Sequence, residues 1–455
     1  MTSRTRYGRT AIAAAVLLTF APGLVTNAAA AELDDLKRQI ELLTKKIESI
    51  EAKQKAAPAP AAALPANVVT GGSVPGSIKI PGSDTSFRVS GQIKGDYIVD
   101  LKAPPAGGGG DFAVISTAPL KGTAAANKKG ESRFHAKESR IVLETFTPTS
   151  YGQLKTYVEG DFFDENTGQV GPAGVEGTGN QTSFGIRHAY GELGPFLAGQ
   201  TWTNFMDITA YGEKVDFTGP AGRTFIRQAQ FRYTHAFANG NLFRVAIENP
   251  NGDFNGQADT NIGDDLPDLT ANYRFVGKNW HLQANGLLRQ IKHENRPGTG
   301  SVTTTPFGSD TTLGYGFGLT GSYRFQNRDR VTFYTVAGDG IGRYLEGGDG
   351  SGASLNPATG QLNKQFGYGG FSTYQHWWTS NLRSNLVYGI SRFNTNNLAA
   401  LAAVNEKIQS AYINLIWSPV KQVDIGIEYL WGEREVKDGR EGEVSRIQVG
   451  TRYRF

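Results

Sequence analysis

A chain of 455 residues with 58 Gly, 19 Pro, a hydrophobic fraction of 39% and a mean hydropathy of -0.36 is too polar for a bundle of membrane helices, yet it carries 25 Phe, 18 Tyr and 6 Trp. Polar on average but rich in aromatics is the composition of a β-wall with lipid on one face and water on the other. The absence of Cys excludes disulfides, zinc–thiolate sites and thiol nucleophiles; the formal charge of +4, or +1 once Arg4, Arg6 and Arg9 are set aside, offers no basic field for nucleic acid.

Arg4, Arg6 and Arg9 precede an apolar run from Ala11 to Val25 that ends in Ala28-Ala29-Ala30-Ala31. A basic start, a short apolar stretch and a small-residue end predict a secretory signal peptide over residues 1–31. A transmembrane anchor would need a longer run. In the next segment, 32–55, Leu33, Leu36, Ile40, Leu43, Ile47 and Ile50 are spaced alternately by three and four. That narrow heptad stripe predicts a coiled coil rather than a helix lying on a surface. Ile and Leu mixed at both core positions are compatible with three strands. Residues 56–85 read as an Ala/Pro/Gly tether.

From Ser86 the period becomes two. Phe87, Val89, Gly91, Ile93, Gly95, Tyr97 and Val99 share one face, and Arg88, Ser90, Gln92, Lys94, Asp96 and Asp100 the other, with Ile98 the exception. Comparable stretches recur to the end of the chain. Short links such as 147–150, 238–240, 326–328 and 418–420 alternate with long Gly-rich ones such as 101–130, 249–264 and 341–364. A soluble sandwich has no reason to sort its connections by length, whereas a membrane barrel does. In the last strand Ile447, Val449, Thr451, Tyr453 and Phe455 alternate to a terminal aromatic. An apolar edge strand there would invite aggregation unless it closes against the first strand. It also resembles the signal read by the barrel assembly machinery, which Ile447, Val449, Tyr453 and Phe455 would carry. The fold class expected is all-β: a transmembrane antiparallel barrel of about sixteen strands over residues 86–455, preceded by a short α-helical coiled coil.

The runs Lys155–Phe163, Arg187–Pro195, Ala198–Asp207 and Val215–Gly222 together resemble the DcaP-like family of trimeric outer-membrane porins, as does the order coiled coil, linker, barrel. The resemblance covers essentially the whole mature chain. It implies a homotrimer, sixteen strands and uptake of small anionic solutes such as dicarboxylates.

In large porins one long loop folds into the barrel. Residues 202–222 are the candidate, because Phe205, Met206, Ile208, Tyr211, Val215 and Phe217 supply apolar surface for packing inside a wall. Asp207, Glu213 and Asp216 would form the acidic side of the constriction. Cations at inward positions face them: Arg88, Lys94, Arg140, Lys155, Arg232 and Arg244 on strands, with Arg223 and Arg227 where the loop returns to the wall. A cluster of Arg prefers anions, since each stays charged and can fork onto a carboxylate. For any single one, solvation of a wet lumen explains the charge as well.

No G-x-S-x-G elbow, phosphate loop or ordered calcium loop is present, so no catalytic residue, cofactor or metal is expected. The reading is a passive outer-membrane channel for small anions, with the coil in the periplasm. Its partners would be membrane lipid, two further copies of the chain, the assembly machinery and, through the coil, the cell wall. A general or sugar-type porin is one alternative. A barrel serving mainly as a tether to the cell wall is the other.

Overall fold

The computed structural model describes residues 27–55, 69–104, 111–164, 183–255, 261–262, 265–294, 309–348, 352–356, 359–395 and 404–455. Two units are distinct: residues up to Val68, and Val69–Phe455.

In the first unit Asn27–Lys55 form one 29-residue helix, α1. It begins inside the expected signal segment because the alanine run is strongly helix-forming. Ile40, Leu43 and Ile47 are 58%, 59% and 57% exposed, so among the described residues nothing covers this part of the stripe. The side chains of Leu33, Leu36 and Ile50 lie outside the described residues, as do residues 1–26 and 56–68.

The second unit is a closed antiparallel barrel of sixteen strands. In chain order these are β1 (Ser86–Lys102), β2 (Glu131–His135 and Arg140–Thr149), β3 (Gly152–Asp164), β4 (Ser183–Leu193), β5 (Phe196–Trp202), β6 (Arg227–Ala236), β7 (Leu242–Glu248) and β8 (Asp268–Val276). They continue as β9 (Trp280–Glu294), β10 (Asp310–Arg324), β11 (Arg330–Asp339), β12 (Phe366–Trp377), β13 (Leu382–Phe393), β14 (Asn405–Val420), β15 (Val423–Val436) and β16 (Glu441–Arg454). Each pairs with its neighbours in sequence, and β16 pairs with β1 through Ile447↔Val99 and Tyr453↔Ile93. Phe455 and Gly91 exchange backbone hydrogen bonds of 3.0 and 3.2 Å. Closure thus pairs the edge that the last strand would otherwise expose.

Alternation sorts the faces as the composition requires. Along β1, Val89 and Ile93 are exposed on the outer face while Lys94, Asp96 and Asp100 are buried. Ile98, the apparent defect in the pattern, is fully buried among the inward residues.

Three features differ from the sequence reading. Residues 69–85 do not all belong to the tether: Thr70–Gly71 and Ile78–Lys79 form a small hairpin, and Ile78 pairs with Phe87 of β1. β2 is broken, with Ala136–Ser139 set against only Ile93–Gly95, an extra residue that turns Glu138 inward. The last connection at the long-loop end, Val436–Glu441, is a tight turn with Gly439 at φ +81°, an exception to the sorting by length.

Three loops fill part of the lumen: loop 1 after β1, loop 3 between β5 and β6, and loop 6 between β11 and β12. Ala113, Ile115 and Ala118 of loop 1, Phe205, Ala210 and Ala221 of loop 3 and Ile341, Tyr344 and Leu345 of loop 6 are buried in one apolar cluster. Their wall partners include Tyr334, Phe371 and Tyr412. Each fully buried large side chain contributes roughly 1.5–3 kcal/mol to holding the loops in place.

Candidate functional site

Loop 3 leaves the wall after Trp202 and returns at Arg227, and its middle reaches strands half a turn of the barrel away. The backbone N–H groups of Val215 and Asp216 donate to the Glu428 carboxylate of β15, both at 2.9 Å. Lys94 of β1 donates to the Val215 carbonyl at 2.6 Å, and the Ser410 hydroxyl of β14 accepts from Ala221 N–H at 2.9 Å. β6 and β14 are eight positions apart in a ring of sixteen, so the loop crosses the lumen. Glycine permits the close seating at its far end. Gly222 has φ +82°, and a Cβ there would lie 2.3 Å from Gly370 N and Ile390 O.

The three expected acidic residues face the wall. Asp207 is buried and bonds His281 Nε2 at 2.7 Å and Arg274 at 3.4 Å. Glu213 accepts from Arg383 at 2.5 and 2.7 Å and from Gln375 at 2.8 Å. Asp216 pairs with Arg446 at 3.3 Å and caps Thr218 N–H at 2.8 Å. Glu213 and Asp216 also line the open space. Phe205 is 1% exposed and meets the Tyr344 ring of loop 6 edge-on at 5.8 Å. All four therefore anchor the loop as well as shape it.

Beside loop 3 lies a cavity of about 560 Å³ bounded by β1 to β5, loop 3 and Arg452 of β16. Five cations line it, Arg140, Arg187, Lys214, Arg223 and Arg452, against four carboxylates, Glu138, Glu159, Glu213 and Asp216. Arg187 is buried between Glu159 at 2.8 Å and Asp161 at 2.5 Å. Arg140 is held more loosely, 3.5 Å from Glu159 and 3.8 Å from Glu138, and its Nε has no partner among the described residues. Arg452 lies 3.4 Å from Glu138. Lys214 donates to the backbone carbonyls of Asp216 and Thr218. Cations cover the aromatic walls: Arg223 sits over Phe225 at 3.8 Å, Arg227 over Trp202 at 5.0 Å and Arg187 over Phe217 at 5.5 Å.

The cations expected from sequence separate into groups. Arg140 and Arg223 line the cavity. Arg227 stands beside it on Trp202, one terminal nitrogen unpartnered among the described residues. Lys94 is 2% exposed and ion-paired to Glu138 and Asp96, so it supports loop 3 from behind. Arg88, paired with Glu144, and Lys155, 3.6 Å from Glu144, lie on the inner wall outside the cavity. Arg232 and Arg244 lie on the short-turn side. Sequence reasoning assigned no role to Arg187, Lys214 or Arg452. Arg452, beside the outward Tyr453, carries the alternation signal that Arg140 does; Arg187 lies at a register shift next to the buried His188, where alternation gives no signal.

With the geometry in place, comparison with known proteins is informative. The chain matches the DcaP outer membrane protein family over residues 32–455. The chain belongs to that family. It is therefore an outer-membrane β-barrel of the porin and channel type. Its fold is similar to the outer membrane channel DcaP of Acinetobacter baumannii, with TM-score 0.70 and 23% identity over 85% of this chain and 100% of that one. The anion-selective porin from Comamonas acidovorans matches at TM-score 0.50 and 11% identity, covering 82% of this chain and all of that one. OmpT of Vibrio cholerae aligns at TM-score 0.48 and 12% identity, covering 82% and 98%. A search of curated protein sequences gives no significant match.

Proposed function

We propose that the protein is a passive diffusion porin that prefers small anions, organic acids such as dicarboxylates among them. The observation that carries this reading is the cavity beside loop 3, where five cations outnumber four carboxylates and Arg140 is held only loosely, 3.5 Å from Glu159 and 3.8 Å from Glu138. A guanidinium held by such long contacts in a narrow passage can fork onto a carboxylate without first breaking a strong ion pair. The bound acidic residues set a mixed wall, so the selectivity is a preference rather than an exclusion. The functional assembly is a homotrimer. Residues 1–31 are removed as a signal peptide, and the coil of 32–55 hangs in the periplasm, where the three chains raise one another's effective concentration.

A sugar-type porin is the competing reading, since Trp202, Phe217 and Phe225 line the same space. Stacked sugar rings need open aromatic faces, and here these faces carry guanidinium groups. The test is single-channel recording in a planar bilayer under a salt gradient, with succinate and then maltose added. Anion-selective reversal with succinate block supports the proposal. Cation selectivity, or block by maltose alone, overturns it. Intact conductance after deletion of residues 32–76 supports channel over tether.

A further inference from the structure

A second row of arginines lies apart from the cavity. Arg232 of β6, Arg244 of β7, Arg274 of β8, Arg324 of β10 and Arg330 of β11 stand toward the short-turn ends of their strands. Alternation places them on the lumen face: Gln228 and Gln230 share parity with Arg232, Thr270 and Asn272 with Arg274, and Thr320 with Arg324, and all five of these neighbours are buried. Register sets their level. Arg324 and Arg330 form the last rung before their turn, Arg244 sits opposite Asn272, and Arg274 sits opposite Leu242, the first residue of β7. Arg232 and Arg274 are close enough to act electrostatically on Arg244, and Arg274 and Arg324 on Arg330. The row adjoins loop 3, since Arg330 donates to the Thr209 carbonyl and Arg274 reaches Asp207.

Counter-charge along this row is outnumbered and mostly at a distance: Asp207 acts on Arg244, and Asp207 and Glu213 on Arg330, without direct contact. Glu192 lies 3.7 Å from Arg232 and Asp207 lies 3.4 Å from Arg274. Among the described residues no carboxylate oxygen comes within 4.0 Å of Arg244, Arg324 or Arg330; Arg244 donates to the Asn272 side-chain oxygen at 3.2 Å. On the other side of the ring, near the same ends, Arg88, Arg383 and Arg454 are each closed by a carboxylate, from Glu144, Glu213 and Asp424. Adjacent like charges repel unless an anion relieves them. A guanidinium fork matches an oxyanion in shape as well as charge.

We propose that this row is a second oxyanion site, in series with the constriction on its short-turn side, which receives the carboxylate of an organic acid as it passes loop 3. The proposal rests on the anion-porin reading and takes the short-turn end as periplasmic. Two weak sites in line would let a second anion help the first to leave, as conduction requires binding that is favourable but escapable.

The experiment is side-resolved block of the full-length channel by succinate in a planar bilayer. Insertion direction is assigned by modifying Lys128→Cys, on exposed loop 1, with an impermeant thiol reagent. Loss of two charge-assisted contacts in the double variant Arg244→Gln/Arg330→Gln should shorten blockades from the short-turn side by about tenfold. Blockades from the long-loop side should change by less than about twofold. Arg324→Gln should act in the same direction, and heat-modifiable migration on gels verifies that each variant is a folded barrel. Equal effects from both sides, or none from either, in folded variants overturn the second site. Wild-type protein without anion preference would instead overturn the porin reading, before any variant is made.

Discussion

Glu428 is the strongest single link between loop 3 and the far wall, so its removal tests whether the crossing sets the pore. The carboxylate is 1% exposed and accepts from two loop N–H groups at 2.9 Å and from Asn414 Nδ2 at 2.9 Å. Glu428→Gln keeps the shape but presents an amide that cannot accept at both oxygens. Each hydrogen bond to a charged group is worth about 1.5–3 kcal/mol, so the loss is about 3 kcal/mol once partial replacement is allowed for. That shifts the seated-to-unseated ratio of the loop tip by roughly a hundredfold. Single-channel recordings should show larger and noisier open currents, with an unchanged melting of the barrel strands. A quiet channel of wild-type conductance in the folded variant would refute the reasoning and hand control of the bore to loops 1 and 6.

Gly222→Ala places a Cβ 2.3 Å from Gly370 N and Ile390 O and strains a φ of +82°; it should cost about 2–4 kcal/mol and expose loop 3 to limited proteolysis. Ile40→Asp puts a charge into the heptad stripe at about 1–3 kcal/mol per helix, so native mass spectrometry should show a weakened trimer if the coil contributes to assembly. Asp329, in the turn between β10 and β11, is opposed by burial, but hydrogen bonds from His376, Trp377 N–H, Tyr374 and Asn327 outweigh it and hold its carboxyl below the usual carboxylate range. A depressed value stabilises the fold above the ordinary pKa of 3.8 and is lost as pH falls through the folded value. Asp329→Asn should therefore melt earlier than wild type at pH 7, with the gap closing below about pH 4.

The barrel was legible because its signal is local. Alternation along Phe87–Val99, the sorted connections and the final run to Phe455 each specify a face or a side without knowledge of any partner. The crossing of loop 3 was legible for a similar reason: Phe205 and Val215 are apolar where a solvated loop would not need them. What the acidic residues of that loop do was not legible. Asp207, Glu213 and Asp216 meet His281, Arg383 and Arg446, which stand 74, 170 and 230 positions further along the chain. No spacing rule reaches that far, so Asp207, read as facing the pore, turns out to face the wall, while Glu213 and Asp216 do both. Loops 1 and 6 escaped for lack of period. Ile115, Tyr344 and Leu345 belong to short apolar runs without a helix or strand period, and only packing beside Tyr412 and Phe371 gives them a place. Lys94 had the right parity for the lumen, yet loop 3 covers it.

The Glu428 anchor also has a meaning for biogenesis. Residues 215 and 216 wait for a partner 213 and 212 positions later in the chain. Contacts that distant in sequence are slow to form, because β15 must be in place before Glu428 can receive the loop. Until that partner is in the wall, the tip of loop 3 has nothing to hold it across the lumen. A variant that weakens this docking would injure the cell by leakage before it injures the protein.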